Sequence, residues 1–334
     1  MPDPSAIDAE AGRRVLVREG LLEEATEALT EEGWTEFELL STERAVAGAP
    51  RLPQAAASTH QVAAGPVPDA AAAILEQIGS ERLVALGGGR VIDTAKAIAA
   101  VRGGEVAAIP TTLSGAPITA IHRLPTGHEG ASGVRPSLVL ADPVAITAAP
   151  EPQLRATAMN ALAHGADSLY TPLADSTSRW LSLHGAELVA RSLDQAAEER
   201  DASALTEGAL LCARAVDRAG IALHHVLGQT TVRICGTPHA ETYAALLPLT
   251  MEEMRGRAPG EVASLAAAIG TDPAGIRQRI EQLGGGRRRL SEIGAERACL
   301  ERTLEAAVAR PELSQMTPGE VSREDLARVL EAAW

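Results

Sequence analysis

Leu83 to Lys96 reads LVALGGGRVIDTAK. Four apolar residues run into three glycines, and a helical pattern follows with no turn-former until Gly103-Gly104. Strand, glycine turn and helix in that order make the opening half of a βαβ unit. Glycines let backbone N–H groups approach a phosphate, and the start of the helix behind them favours negative charge. Taken alone, the same turn can serve only to reverse the chain, and both readings stand at this point.

Outward from this stretch the alternation continues. On the N-terminal side, Gly20–Trp34 carries Leu21, Leu22, Ala25 and Leu29 at helical spacing. Thr35–Ser41 (TEFELLS) reads as a strand and Pro68–Gly79 as a helix. On the C-terminal side, EVAAIPTTLSG (Glu105–Gly115) is a short buried strand ending in Thr111 and Thr112, and SLVLADP (Ser137–Pro143) is another. Short apolar strands alternating with helices predict a parallel sheet covered on both faces. Open sheets of this kind bind ligands beyond the carboxyl ends of their strands. After Pro150 the character changes to long Ala, Leu, Glu and Arg segments. Helices are expected over 151–170, 176–200, 203–226, 239–256, 260–283, 290–310 and 322–333. The chain therefore divides into an α/β domain over 1–150 and an all-α domain over 151–334.

Bulk properties narrow the class. A chain of 334 residues can bury two cores. Mean hydropathy is near zero, and no apolar run approaches the ~20 residues of a membrane span. The formal charge of −14 argues against nucleic acid or a membrane surface as partner. Residues 1–43 hold twelve acids against Arg13, Arg14 and Arg18, a run that reads as the solvated face of a helix. MPDPSAIDAE lacks the basic and apolar regions of a signal peptide. Cys212, Cys235 and Cys299 form no CxxC pair, and they suggest reduced thiols in a cytoplasmic protein. Lys96 stands alone beside 29 arginines, a bias with no chemistry in it.

The helical half holds five of the eight histidines. In AMNALAHGADSLY (Ala158–Tyr170), Asn160 and His164 are four residues apart and share a helix face. In ALHHVLGQTTVRICGTPHAETYAALLP (Ala222–Pro248), His225 and His239 are fourteen apart. Imidazoles converging from several helices suit a metal ion. They equally suit the floor of a substrate pocket, or an ordinary core with satisfied rings.

The ordered set GGGxxxDxAK, IPTT, DP after a strand, a helix containing AxAH, then HH and PHAE with LLP resembles the iron-containing alcohol dehydrogenase superfamily. Within it, MNALAH, LHH, PHAET and the closing VSREDLARVLEAAW resemble the maleylacetate reductase branch. The likeness covers about residues 12–334. It implies the dehydroquinate synthase-like, iron alcohol dehydrogenase fold: an α/β nucleotide-binding domain, a helical domain and a cleft between them. It implies NADH or NADPH as cofactor, a small-molecule substrate and a homodimer. The nucleotide site it implies comprises Gly87, Gly88, Gly89, Arg90, Asp93, Lys96, Thr111 and Thr112. Ser41 and Thr42 at an earlier strand end bring no acid that would repel a 2′-phosphate.

Metal-dependent members hold their ion with an Asp and three His. By resemblance His164, His225 and His239 fall on the histidine positions, and Asn160 falls on the Asp position, as it does in maleylacetate reductases. A neutral amide weakens metal retention, so the set reads as a former metal site and no metal is expected. Maleylacetate reductases transfer hydride to the carbon–carbon double bond of maleylacetate, giving 3-oxoadipate. His164, His225 and His239 are the implied catalytic groups, with His164 and His239 facing one cleft and able to titrate near neutral pH. Arg135 is a candidate for a substrate carboxylate, or a plain surface arginine.

The chain also departs from the family pattern. Arg90 replaces a small hydroxyl residue, and Ala116-Pro117 replaces Ser-Glu. The family lysine between IPTT and DP is absent, and RLPTGHEGASGVRP (Arg123–Pro136) is short. Few residues separate LLST from THQVAAG, so the first crossover helix is expected to be missing. Gln229 takes the place of a catalytic histidine in an ungapped alignment; a shifted one puts His225 there and Ile221 at the ligand position. Three readings follow: a divergent reductase, a non-redox lyase, isomerase or cyclase on the same scaffold, and a catalytically dead binding subunit.

Overall fold

The computed structural model describes residues 12–130 and 133–334. The acids Asp3, Asp8 and Glu10 and the leader reading fall outside them, as do Ala131 and Ser132 of the short segment. Two compact units divide at Ala148/Ala149.

The first unit holds β1 (Arg14–Val17), α1 (Ala25–Glu31), β2 (Glu38–Ser41), α2 (Glu43–Gly48), α3 (Leu52–Ala55) and β3 (Ser58–Gln61). It continues with α4 (Val67–Leu75), β4 (Arg82–Gly87), α5 (Gly89–Arg102), β5 (Glu105–Pro110), β6 (Leu138–Ala141) and α6 (Pro143–Thr147). The strands form one sheet in the order β1-β6-β5-β4-β2-β3, with every pairing parallel. Leu83–Leu86 and Val106–Ile109 are almost fully buried, which is why both read as unbroken apolar runs. Register sets Ser41 beside Leu86 and Gly87 beside Pro110, so β2, β4 and β5 end along one edge. At the DP motif, Asp142 accepts from the N–H groups of Val144 and Ala145, capping α6, and from that of Leu22 after β1.

Two expectations need correction here. The β2–β3 crossover is present, as α2 and α3, compressed to six and four residues. Thr42 begins it by capping α2 through Ala45 N–H. Two strands were also unanticipated: β1, four residues long, and β3, an edge strand whose polar residues alternate between half-buried and exposed.

The second unit, Ala149–Trp334, contains no strand among its described residues. It comprises α7 (Glu151–Tyr170), α8 (Ser176–Asp194), α9 (Ala202–Ala219), α10 (Leu223–Cys235), α11 (His239–Arg257) and α12 (Pro259–Ala268). α13 (Ile276–Leu283), α14 (Ala298–Val308), α15 (Pro311–Met316) and α16 (Arg323–Ala333) complete it. The continuous helix expected over 203–226 breaks at Gly220 (φ 79°), and that over 260–283 breaks at Gly270 (φ 81°). Between α8 and α9 the backbones approach closely: a Cβ on Gly185 would lie 2.8 Å from both Gly208 O and Cys212 Sγ. Cys235 of α10 and Cys299 of α14 are joined in a disulfide with Cα atoms 5.4 Å apart, which corrects the reading of three reduced thiols. The packing of α14 on α10 brings them together across 64 residues. Cys212 remains a buried thiol, pushed up to about 12 by burial. No described helix is long and apolar enough to cross a membrane.

Candidate active site

In the first unit, the carboxyl edge of the sheet forms a backbone cradle. Gly87 adopts φ 154°, where a side chain would strike Val91 at 2.8 Å. A Cβ on Gly88 would lie 3.2 Å from Thr112 Oγ1, and one on Gly89 3.1 Å from Ser114 Oγ. The two loops therefore approach one another only because both glycines lack side chains. Gly88 begins α5 with no side-chain cap, leaving the first N–H groups of a fourteen-residue helix open to an anion. Ser114 Oγ is buried beside them with no protein partner, and Arg90 is exposed in the first turn. Thr111 and Thr112 are half-buried at the end of β5.

Three other expected cofactor ligands are placed differently. Lys96 is fully buried, and its ammonium donates to Asp93 Oδ1 at 2.8 Å, Ile121 O at 2.8 Å and Ala116 O at 3.2 Å. Its three donors are spent, so Lys96 and Asp93 strut the loop carrying Ala116-Pro117 and leave nothing for a phosphate. Ser41 is buried and donates to Leu86 O at 2.8 Å, pinning β2 to β4. Arg135 is exposed.

The histidines gather in the second unit on α7, α10 and α11. The rings of His164 and His225 stack with centroids 4.8 Å apart and planes 17° from parallel. His225 meets Tyr243 edge-on at 5.1 Å, and Tyr243 stacks on His239 at 4.3 Å. His224 lies edge-on to Tyr243 at 5.2 Å, with its Nδ1 3.0 Å from Thr250 Oγ1. Thr250 donates its only hydroxyl hydrogen to the carbonyls of Leu246 and Leu247. With that hydrogen directed at the carbonyls, Thr250 Oγ1 is an acceptor for a hydrogen on His224 Nδ1.

Beneath this chain of rings lies Asp167, a residue the sequence reading passed over. It is wholly buried on α7, three positions after His164. It accepts from His225 Nδ1 at 2.8 Å, from the backbone N–H groups of Ala222 (2.9 Å), His225 (3.1 Å) and His224 (3.3 Å), and from the Tyr170 hydroxyl. α10 has no side-chain cap of its own, so Asp167 supplies one from a neighbouring helix. Burial alone would raise the Asp167 carboxyl. The His225 hydrogen bond, the nearby histidines and Tyr170 overcome that and hold it well below the usual carboxylate range.

The imidazoles of His164, His224 and His239 are neutral at pH 7. Burial, then His225 and His239, holds His164 well below its ordinary value, and burial with His225 pulls His224 down to about 3. His239 is exposed, yet the protein packed around its ring, followed by His225, lowers it too. The expectation that His164 and His239 titrate near neutral pH is thereby corrected: burial first, and then the neighbouring rings, lower both, and at His164 they outweigh the Asp167 carboxylate. Several polar atoms here are buried without a protein partner: Asn160 Oδ1, His164 Nδ1, His224 Nε2 and His225 Nε2. Gln229 accepts from Arg310 at 2.8 Å, and Arg310 in turn pairs with Glu312 at 2.7 Å.

This donor set does not fit a tightly held ion. Asn160 brings no charge, the nearly parallel rings of His164 and His225 do not aim lone pairs at one point, and His239 is stacked on Tyr243. Among the described residues, no three or more His, Cys, Asp or Glu side chains are grouped to hold a metal. Asp167 and Tyr243 both had a sequence signal, lying at i+3 from His164 and i+4 from His239, where helix neighbours meet.

Residues 17–150 match the iron-containing alcohol dehydrogenase family, and residues 155–334 match the C-terminal domain of the Fe-containing alcohol dehydrogenase family. Maleylacetate reductase 1 of Rhodococcus opacus is 30% identical over 80% of this chain and 77% of its own. Maleylacetate reductase 2 of Cupriavidus pinatubonensis is 31% identical over 83% and 81%. The crystal structure of maleylacetate reductase from Agrobacterium tumefaciens superposes with a TM-score of 0.85 at 26% identity, covering 98% of this chain and 97% of that one.

Proposed function

The chain belongs to the iron-containing alcohol dehydrogenase family, a family of oxidoreductases, and from that premise we propose a finer reading. It is an NAD(P)H-dependent reductase similar to maleylacetate reductases. It acts on a small carboxylated or ring-derived carbonyl or enone, without a tightly bound metal. One observation carries this: Asn160 Oδ1, His164 Nδ1 and His225 Nε2 are buried and unpartnered, and the His164 and His225 rings stack 4.8 Å apart. Each such atom costs about 1–3 kcal/mol when left unpaired, so the cluster is built to be completed by a polar ligand.

The dinucleotide, when bound, supplies a hydride. The chain's own residues do the rest. The open N–H groups behind Gly88 and Gly89, with Arg90, take the phosphates. Asn160, through its amide Nδ2, and His164 hydrogen-bond the carbonyl oxygen on which negative charge develops. His225, oriented by Asp167, moves a proton at Nε2, and exposed His239 exchanges protons with solvent. The acidic charge of −14 supports a small-molecule partner over nucleic acid or membrane, and the family likeness supports a homodimer, which light scattering checks.

Titration with NADH and NADPH, followed by nicotinamide fluorescence and then by nucleotide oxidation on adding maleylacetate, tests the reading. Saturable binding with turnover supports it, and no binding of either nucleotide overturns it. A second reading, a non-redox lyase, isomerase or cyclase, draws support from Gln229, tied to Arg310 where the family carries a histidine, and from Ala116-Pro117 in place of Ser-Glu. Turnover of a carbonyl or phenolic acid without nucleotide would favour it.

A further inference from the structure

We infer that Asp167 is a positioning residue that locks His225 in the tautomer carrying hydrogen on Nδ1, so that His225 presents a bare Nε2 and selects ligands bringing a hydroxyl. The inference deepens the reductase reading of this site by naming what the ligand must offer there.

Geometry carries it. Asp167 Oδ2 lies 2.8 Å from His225 Nδ1 and also accepts the His225 and Ala222 N–H groups, so its place is fixed by the backbone of α10 and not by the ring alone. Tyr170 and the His224 N–H occupy Oδ1. An ionised carboxylate is an acceptor only, so the hydrogen in the Asp167–His225 contact sits on the imidazole. When the imidazole is neutral that hydrogen is its only one, and Nε2, buried with no protein partner, is a lone pair. His224 repeats the arrangement through Thr250, leaving its own Nε2 bare. With Asn160 Oδ1 also unpartnered, the polar surface offered here is rich in acceptors. A carboxylate or ketone oxygen would meet lone pairs at His225. An alcohol, an enol or a phenol brings the hydrogen that Nε2 lacks. For a keto acid this means that its enol hydroxyl, or the alcohol of the reverse reaction, lies against His225, while charged carboxylates lie elsewhere.

The test is nitrogen NMR of the histidine side chains in the intact protein, without nucleotide or substrate, so that its outcome is independent of the reductase reading. The His225 signals are assigned by their loss in His225→Gln. The expected result is a protonated-type Nδ1 and an unprotonated-type Nε2. A hydrogen on Nε2 of the native protein overturns the inference with no variant needed. Asp167→Asn keeps an acceptor for the α10 cap and should shift His225 toward the Nε2–H form, with turnover down about 10–100-fold. Asp167→Glu should restore the native tautomer. A native signature unchanged in Asp167→Asn, alongside a lowered melting temperature, would make Asp167 structural only. Added phenol should shift the His225 Nε2 signal and benzoate should not; the reverse order rejects the ligand class.

Discussion

A Cβ on Gly228 would lie 2.9 Å from Cζ of Tyr243 and 3.0 Å from its Cε2. The fully buried Tyr243 ring thus fills the space where α10 lacks a side chain, one turn after His225, and from there touches His224, His225 and His239. Gly228→Ala gains up to ~1 kcal/mol of helix propensity. The clash with a rigid ring costs about 1–3 kcal/mol if the ring stays. We expect a small net loss of stability and a tenfold or greater loss of turnover, because the ring moves and takes three histidines with it. Thermal melting and kinetics on the same sample check this. Normal turnover would show that the histidines do not depend on Tyr243.

Asn160 supplies a neutral oxygen where an anionic one would anchor a cation. Purified protein should therefore hold well under one equivalent of iron or zinc per chain. Asn160→Asp should raise the retained metal, since a carboxylate beside His164 and His225 restores charge and a harder donor. Elemental analysis of both proteins decides it. One tightly held ion per chain in the unchanged protein would show that the stacked rings open to bind metal.

How far the sequence could be read follows from which contacts are local. The β4-glycine-α5 unit and the α7 helix are legible because burial on both faces, or on one helical face, repeats every few residues. β3 was not, since an edge strand paired on one side need carry no apolar pattern, and Ser58–Gln61 carries none. Asn160 and His164 drew notice as an i,i+4 pair. Asp167 stood in the same quoted stretch, but its role depends on the start of α10, 55 residues on. The Cys235–Cys299 bridge and the burial of Lys96 beneath Ile121 are likewise set by packing that no spacing reveals.

The glycine loop gives a prediction in the first unit. Gly89→Ala would set a methyl 3.1 Å from Ser114 Oγ and 3.2 Å from its Cβ, so the two loops must part. Arg90 is exposed, so its attraction for a phosphate is screened and sits at the low end of a charged hydrogen bond, about 1 kcal/mol. Arg90→Ala should weaken NADPH roughly fivefold at low ionic strength, with the difference closing as salt rises. Gly89→Ala should weaken it at every salt concentration. Fluorescence titrations at two ionic strengths measure both. Equal affinity of Arg90→Ala and the parent protein at low salt would remove Arg90 from the site.

The buried imidazoles predict how stability varies with pH. His224 is held at about 3 and His164 well below its ordinary value of 6.5, chiefly by burial and then by His225. In the folded protein both stay neutral as the solution is acidified, while in the unfolded chain both take up protons near pH 6.5. The unfolded state then binds more protons than the folded one, so stability falls as pH drops from about 6.5 toward 4. Each ring contributes up to ~1.4 kcal/mol per pH unit across that window. Asp167 acts in a lower one: its depressed carboxyl stabilises the fold above its unfolded value near 3.8, and that contribution is lost below it. Urea unfolding at pH 7.5, 6.5, 5.5 and 4.5 should show a plateau and then a steepening loss. His224→Gln removes one titrating ring, keeps a group able to donate to Thr250, and should flatten the slope by about one proton. Stability unchanged from pH 7.5 to 4.5 would mean that the rings take up protons while folded, and that the neutral cluster assigned here to substrate binding is not neutral.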